Sequence, residues 1–163
     1  MQAEPTKENE AESSAEVDIV NYSAIDSDDA LIATALMATP QDKRAESKVI
    51  GFNMAGEFVT FKEGTNEFIC ITDKPTQDGF NAASYYHKDL APYMARGRAL
   101  KAEGKTFKEL FDTRENEVKS GKLKMGAAGT TLHIYYGKNA NYDEKRAEVE
   151  GATYHYIVIR LRI

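Results

Sequence analysis

The residues best suited to chemistry are one thiol and three imidazoles. Cys70 is the only cysteine, and the histidines are His87, His133 and His155. A cysteine becomes a nucleophile when a neighbouring base holds it as the thiolate, and His87 follows Cys70 after one short segment. Cys70 also stands in an apolar stretch, where a free cysteine usually packs as a small hydrophobic residue. The sequence favours a core role and leaves a hydrolase-like Cys70–His87 site as the alternative.

Two groups of acidic and imidazole side chains could offer ligands to a metal ion. The groups are Asp73, Asp78, His87 and Asp89, and Asp26, Asp28 and Asp29. Neither spacing matches a His-Glu-x-x-His helix or an EF-hand loop, in which each ligand position is set by the geometry of the ion. We therefore expect solvated loop carboxylates and no metal.

The glycine-rich segment 121–129 has only a superficial likeness to a phosphate-binding loop. It lacks the Lys-Ser/Thr pair after the four-residue gap, and it follows a helical pattern where a P-loop follows a strand. The segment is better interpreted as a flexible connector, and the sequence predicts no cofactor.

A pair of predicted helices in the second half of the chain is locally basic. Its cations are Arg96, Arg98, Lys101, Lys105 and Arg114. Arg114 interrupts an otherwise apolar stripe, and a core-facing guanidinium needs a carboxylate or a bound anion unless it reaches water. Tyrosines such as Tyr93 could line a ligand groove or fringe the core of a sheet. The candidate ligand-binding group is therefore Arg96, Arg98, Arg114 and Tyr93, for a small anionic ligand.

The elements that must position these residues start near Asp26. Asp26 or Ser27 can cap a short amphipathic helix that Pro40 ends. Three strand patterns follow, at 48–54, 57–62 and 67–72. Their short connections favour an antiparallel three-strand meander, and segment 73–83 is expected to be an irregular loop.

Two helices and two strands complete the predicted order. The first helix covers 88–103, and Thr106 with Glu109 forms a capping box that starts the second, which ends near Gly121. The strands cover 131–136 and 153–163. The sequence thus predicts an α+β fold, with an antiparallel sheet made of the meander and two C-terminal strands. A helical excursion lies between them, and a helix precedes them.

Composition and charge bound the function. The 163 residues carry one cysteine and a net charge of −5, and no apolar run approaches the ~20 residues of a membrane span. Nine of the acids lie in residues 1–30, so the rest of the chain is slightly basic. We expect residues 1–24 to be a flexible acidic tail, or an arm that folds onto a basic surface or a partner, and 25–163 to be a single domain. A dedicated nucleic-acid binder is disfavoured.

Several short motifs stand out at 64–71, 73–75, 87–92, 104–106, 120–125 and 132–136. Together they resemble a family of uncharacterised exported bacterial proteins. The resemblance implies a periplasmic or extracellular location and no assigned activity, so no catalytic residue is carried over. Family members typically begin with a secretion signal, which these first residues lack, and run on past the final strand.

The sequence as a whole favours a non-enzymatic exported domain that binds a small ligand or a protein partner. The region expected to bind is 72–129, where polar aromatics, cations and irregular backbone concentrate. The alternatives are a hydrolase-like enzyme and a structural assembly subunit.

Overall fold

A computed structural model describes residues 19–159 of the chain. The helices are α1 (Asp28–Leu36), α2 (Ala91–Ala102) and α3 (Phe107–Lys119), with 3₁₀ turns at Gln41–Glu46 and Lys88–Leu90. The strands are β1 (Ser23–Ala24), β2 (Lys48–Phe52), β3 (Phe58–Lys62), β4 (Phe68–Ile71), β5 (Phe80–Tyr86), β6 (Thr131–Gly137), β7 (Asn141–Asp143), β8 (Glu148–Val149) and β9 (Thr153–Val158).

A six-stranded sheet in the order β3-β2-β4-β5-β6-β9 organises the fold. Every neighbouring pair is antiparallel except β2 and β4. The expected α+β class with a mostly antiparallel sheet is confirmed. Helix α1 packs on one face of the sheet, the α1 face, and the Lys88–Leu90 turn and α2 pack on the other, the α2 face.

A second, three-stranded sheet joins β1, β7 and β8. Its strand β1 falls inside the segment 1–24 that was expected to be a tail, and the Asn21 backbone N–H donates to Asp143 Oδ2 at 3.3 Å. Residues 1–18 of that segment lie outside the described residues. Within the described residues, the first strand thus lies ahead of Asp26.

The predicted three-strand meander is wrong in its third member. Strand β4 pairs in parallel with β2, so that Val49 lies opposite Cys70, and it does not pair with β3. The connection between β3 and β4 explains this arrangement, because the Thr65 and Asn66 backbone N–H groups donate to Glu46 O at 2.8 and 3.2 Å. The chain thus crosses the start of β2 and returns on its other side.

The predicted loop 73–83 is also wrong, because β5 begins at Phe80 and is the fourth strand of the sheet. Its inward residues on the α1 face include Ala82 and Ser84, which are buried under α1. Small side chains fit the narrow space between helix and sheet, but they give little of the β-branched and aromatic signal that identifies strands.

Helix α1 has the start that its sequence predicts. Ser27 Oγ accepts from the Ala30 backbone N–H at 3.1 Å, and two aspartates occupy the first turn, near the positive end of the helix dipole. Leu31 and Ala35 are fully buried, and Ala35 packs against Val49 and Cys70. Burying a leucine of this kind contributes about 2 kcal/mol.

The α2 face is covered by an apolar cluster in which Ile50, Ile69, Tyr85 and Leu90 are buried. The Lys88–Leu90 turn delivers Leu90 to the sheet, and α2 adds the partly buried Tyr93 and Met94. Thr106 and Glu109 form the reciprocal capping box that starts α3. No helix within residues 19–159 is long and apolar enough to cross a membrane.

A substitution at Gly64 tests the connection between β3 and β4, which crosses the start of β2. A Cβ at this position would collide with the backbone of Glu46 (2.7 Å from its carbonyl oxygen) and of Lys48. We expect Gly64→Ala to lower the free energy of unfolding by about 1–3 kcal/mol, because the backbone cannot give way as a side chain would. Chemical denaturation measures the loss. The control Glu63→Ala, an exposed neighbour, is expected to stay within about 0.5 kcal/mol, and an unchanged Gly64→Ala would contradict the crossing.

Candidate anion-binding site

Cys70 lies at the centre of the α1 face and is fully buried. Thr39 Oγ1 donates to Ser84 Oγ at 2.6 Å and lies 2.8 Å from Cys70 Sγ. In the Thr39–Cys70 contact either the hydroxyl or the thiol can be the donor. Burial raises the pKa of Cys70, so the thiol stays protonated at neutral pH.

His87 lies just beyond the end of β5, at the start of the 3₁₀ turn. Its Nδ1 accepts from the Asp89 backbone N–H at 3.2 Å and thereby caps the turn. Its Nε2 lies 2.9 Å from Glu67 Oε2, at ion-pair distance but not aligned for a hydrogen bond to that oxygen. His87 is thus a capping residue with an acidic neighbour on either side.

The structure does not bring Cys70 and His87 together. Cys70 lies opposite Ser84, and His87 is three residues further along the chain, which is roughly 10 Å of extended strand. The thiol contacts hydroxyls and the imidazole lies among carboxylates. The hydrolase-like alternative therefore lacks the base that would activate its nucleophile.

The reactivity of the thiol checks this conclusion. In the native protein we expect Cys70 to resist a thiol reagent such as Ellman's reagent, because it is buried and protonated. One equivalent should react after unfolding in urea, since the chain holds one cysteine. Fast labelling of the folded protein at pH 7 would contradict this description of Cys70.

Arg96, one of the predicted ligand-binding residues, is already paired. Its Nε and Nη2 donate to the two carboxylate oxygens of Glu117 at 2.9 and 2.8 Å. This bidentate pair holds α3 against α2, and it leaves Arg96 without the free charge that an anionic ligand requires. Arg96 is a structural residue of the helix pair.

Arg114 reaches from α3 across α2 and lies over the ring of Tyr93. Its guanidinium carbon is 4.1 Å from the ring centroid, and its Nη1 donates to Tyr93 O at 3.4 Å. Gly97 makes this approach possible, because a Cβ there would lie 2.7 Å from Arg114 Nη1. Arg114 Nε is buried and has no hydrogen-bond partner among residues 19–159.

Arg98 projects from α2 over the sheet. Its guanidinium carbon lies 4.6 Å from the centroid of the Phe58 ring, and its buried Nη1 has no partner within the described part of the chain. The fully buried Tyr85 hydroxyl also lacks a partner there. Burial raises the pKa of Tyr85 to about 12, and the nearby positive charge of Arg98 opposes that increase. Burial lowers the pKa of Arg98 for the same physical reason.

Two guanidinium groups thus lie against α2 with no carboxylate within 4 Å among residues 19–159. Arg98, Arg114 and Tyr85 offer N–H and O–H donors, and Phe58 and Tyr93 cover the planar faces of the two cations. Such donors suit an anion. Of the four predicted binding residues, Arg114 and Tyr93 are in contact beside α2, and Arg98 lies on α2 against Phe58.

Sequence reasoning missed Tyr85 and Phe58 as members of this group. Tyr85 is one of several tyrosines that could line a ligand groove, but the sequence predicts a loop at 73–83 and no strand that would place Tyr85 on the α2 face. The inward alternation of Ala83 and Tyr85 on the α2 face was the available signal. Phe58 was predicted on a strand, but nothing in its spacing relates it to Arg98.

The remaining candidates form no metal site. Within residues 19–159, no three His, Cys, Asp or Glu side chains gather as a metal-binding group.

The glycine-rich connector lines an open groove of about 560 Å³ between the start of α2 and residues 124–127, where Lys124 is the single cation among the lining residues.

Comparison with known proteins returned no match to a family model, to a curated protein or to a solved structure. The geometry of the described residues therefore carries the functional argument.

Asp73 is the carboxylate whose titration the fold changes most. It is 4% exposed at the end of β4, and its Oδ1 accepts from the Asn81 backbone N–H at 3.0 Å. Burial raises its pKa from 3.8 to about 6, against the lowering effect of that hydrogen bond. Because the folded state holds this proton more tightly, its contribution to stability is complete below pH 3.8 and is lost as the pH rises through 6.

Asp73→Asn tests this coupling, because asparagine keeps the acceptor and removes the charge. At pH 7 to 8 we expect the variant to gain up to about 3 kcal/mol in unfolding free energy, since one pKa unit is about 1.4 kcal/mol. The gain should disappear near pH 4. Urea denaturation at several pH values measures it, with exposed Asp78→Asn as control. A gain that does not change with pH would contradict the shifted titration.

Proposed function

We propose that this chain is a non-enzymatic binding domain for a small anionic ligand, held by Arg98 and Arg114 against α2. One observation carries the proposal: each guanidinium has a buried N–H group without a partner within the described residues. The unpartnered hydroxyl of Tyr85 near Arg98 supports it. The proposal agrees with the anionic ligand expected from the sequence.

The cost of burying charge favours this function. A buried polar group without a hydrogen bond costs about 1–3 kcal/mol, and a charged group costs more. Stacking on an aromatic ring returns roughly 0.5–2 kcal/mol, which offsets only part of that cost. These N–H groups are buried, so an anion must enter beside α2 to accept from them, and there it would replace the missing solvation.

The chemistry of the donors indicates a carboxylate or phosphate group on the ligand. A guanidinium presents two parallel N–H donors whose spacing matches two oxygens of either anion. The phenol of Tyr85, with its pKa of about 12, stays protonated and is a further donor. The aromatic rings of Phe58 and Tyr93 would add apolar contact for a ligand with an organic body.

The location proposed for this domain is the periplasm or the extracellular space. It rests on the resemblance of the sequence motifs to exported bacterial proteins. A bacterial source follows from the same resemblance. Fractionation of cells that express the full-length gene product tests the location separately from ligand binding.

Thermal unfolding with defined anions tests the proposed function. We expect inorganic phosphate or succinate to raise the Tm above that in sodium chloride of equal ionic strength. At a hundredfold excess over Kd the stabilisation is about 2.7 kcal/mol. Arg98→Met should abolish this increment, because it removes the free donors and keeps the apolar contact with Phe58.

Lys101→Met is the matched control, since it removes one exposed positive charge from the same helix. This variant should keep the anion-dependent increment. Equal Tm values in phosphate, succinate and chloride would contradict the proposed function, as would an increment that Arg98→Met retains. A loss of the increment in both variants would indicate general screening of charge and would also contradict it.

A further inference from the structure

Strand β9 forms one edge of the large sheet, and all six of its residues are exposed. Several of them are large and apolar or aromatic: Tyr154 is 52% exposed, Tyr156 62% and Val158 43%. An edge strand with such side chains is a template for another strand, because its outer backbone groups have no partners.

The direction of those backbone groups follows from the residue next to β9. The Ile159 N–H donates to Thr130 O at 2.8 Å, and Ile159 O accepts from Gly129 N at 3.3 Å, so Ile159 faces β6. Backbone groups alternate in direction along a strand, so those of Tyr154, Tyr156 and Val158 face away from the sheet. Within residues 19–159, three residues in alternation thus present N–H and C=O groups that no other strand pairs with.

The two edges of the sheet differ in protection. At the other edge, the pairing of β3 with β2 contains a register shift between Val49 and Ile50, and β3 ends in Lys62. Bulges and lysines are the usual means by which proteins prevent edge pairing. Strand β9 keeps an unbroken register with β6. It contains no lysine and no proline, and His155 is its only ionisable residue apart from tyrosines.

We propose that β9 pairs antiparallel with β9 of a second copy of this chain, around a two-fold axis at Tyr156. This register joins Tyr156 to its own copy and Tyr154 to Val158. All three outward-facing residues then exchange both backbone hydrogen bonds, about six bonds in total. Shifting the axis to His155 or Ile157 would leave one of the three without a partner, so the Tyr156 register makes the most bonds.

The side chains on β9 match a second copy of the strand better than they match the acidic residues 1–18. Because no aspartate, glutamate, lysine or arginine lies in β9, two copies meet without repulsion, and the Tyr156 pair and the Tyr154–Val158 pairs are favourable cross-strand contacts. Residues 1–18 hold six carboxylates and are rich in residue types that strands avoid.

Light scattering after size exclusion tests the assembly. Between about 1 μM and about 1 mM protein, we expect the mass to rise from the chain mass of 18.2 kDa toward twice that value. Tyr156→Lys should keep the protein monomeric, because it places two like charges opposite each other at the axis. Tyr136→Lys, on the neighbouring strand, is the matched control and should still dimerise. A monomer throughout, or a dimer that Tyr156→Lys retains, would overturn the proposal.

Cross-linking tests the register independently of stability. Residues in a hydrogen-bonded antiparallel pair have Cα atoms about 5.5 Å apart, which a disulfide can span. Under mild oxidation, Tyr156→Cys should give a covalent dimer, and Tyr136→Cys should not. The unmodified protein controls for Cys70, which is buried. Cross-linking of both variants to the same extent would overturn the Tyr156 register.

Discussion

The half-buried positive charge of two arginines beside α2 is the constraint on which the packing of this face depends. Arg98 lies beneath the helix on the ring of Phe58, and Arg114 enters from α3 onto the ring of Tyr93. Gly97 lies under the Arg114 guanidinium, where a Cβ would force that group to shift. The spacing of the two helices and their position on the sheet thus accommodate two cations, although apolar residues at the same positions would cost less.

On the α1 face of the sheet, the buried polar side chains of Thr39, Cys70 and Ser84 hydrogen-bond to one another. There Thr39, Cys70 and Ser84 are all buried and uncharged. The Thr39 hydroxyl is hydrogen-bonded to both Cys70 and Ser84, so each of the three has a partner. The two faces therefore differ in kind. The α1 face is closed, as a core is expected to be, whereas the α2 face keeps buried donors that have no partner among residues 19–159. The thiol, which the sequence makes the most conspicuous reactive group, belongs to the closed face.

The sequence predicts the local features of this fold but not the contacts between distant residues. Local signals were sufficient where a few adjacent residues decide the structure, as in the Thr106–Glu109 capping box and the Ser27 cap. The partner of β4 was mispredicted, because it depends on hydrogen bonds between residues 65–66 and Glu46, which no local pattern reveals. Arg114 could be singled out because it breaks an apolar stripe. The sequence does not reveal that Arg114 on α3 lies over Tyr93 on α2, or that Arg96 pairs with Glu117. Both contacts depend on how the two helices pack.

The central proposal is that the guanidinium groups of Arg98 and Arg114 bind an anion. NMR of the arginine side chains tests this most directly. In a protein labelled with ¹⁵N, the Nε–H signals of Arg98 and Arg114 can be assigned by Arg→Lys substitution and followed during titration with phosphate. The account predicts saturable shifts of these two signals, with the Arg96 signal unchanged because Glu117 already occupies it. Signals of Arg98 and Arg114 that do not move while phosphate is added would contradict the account.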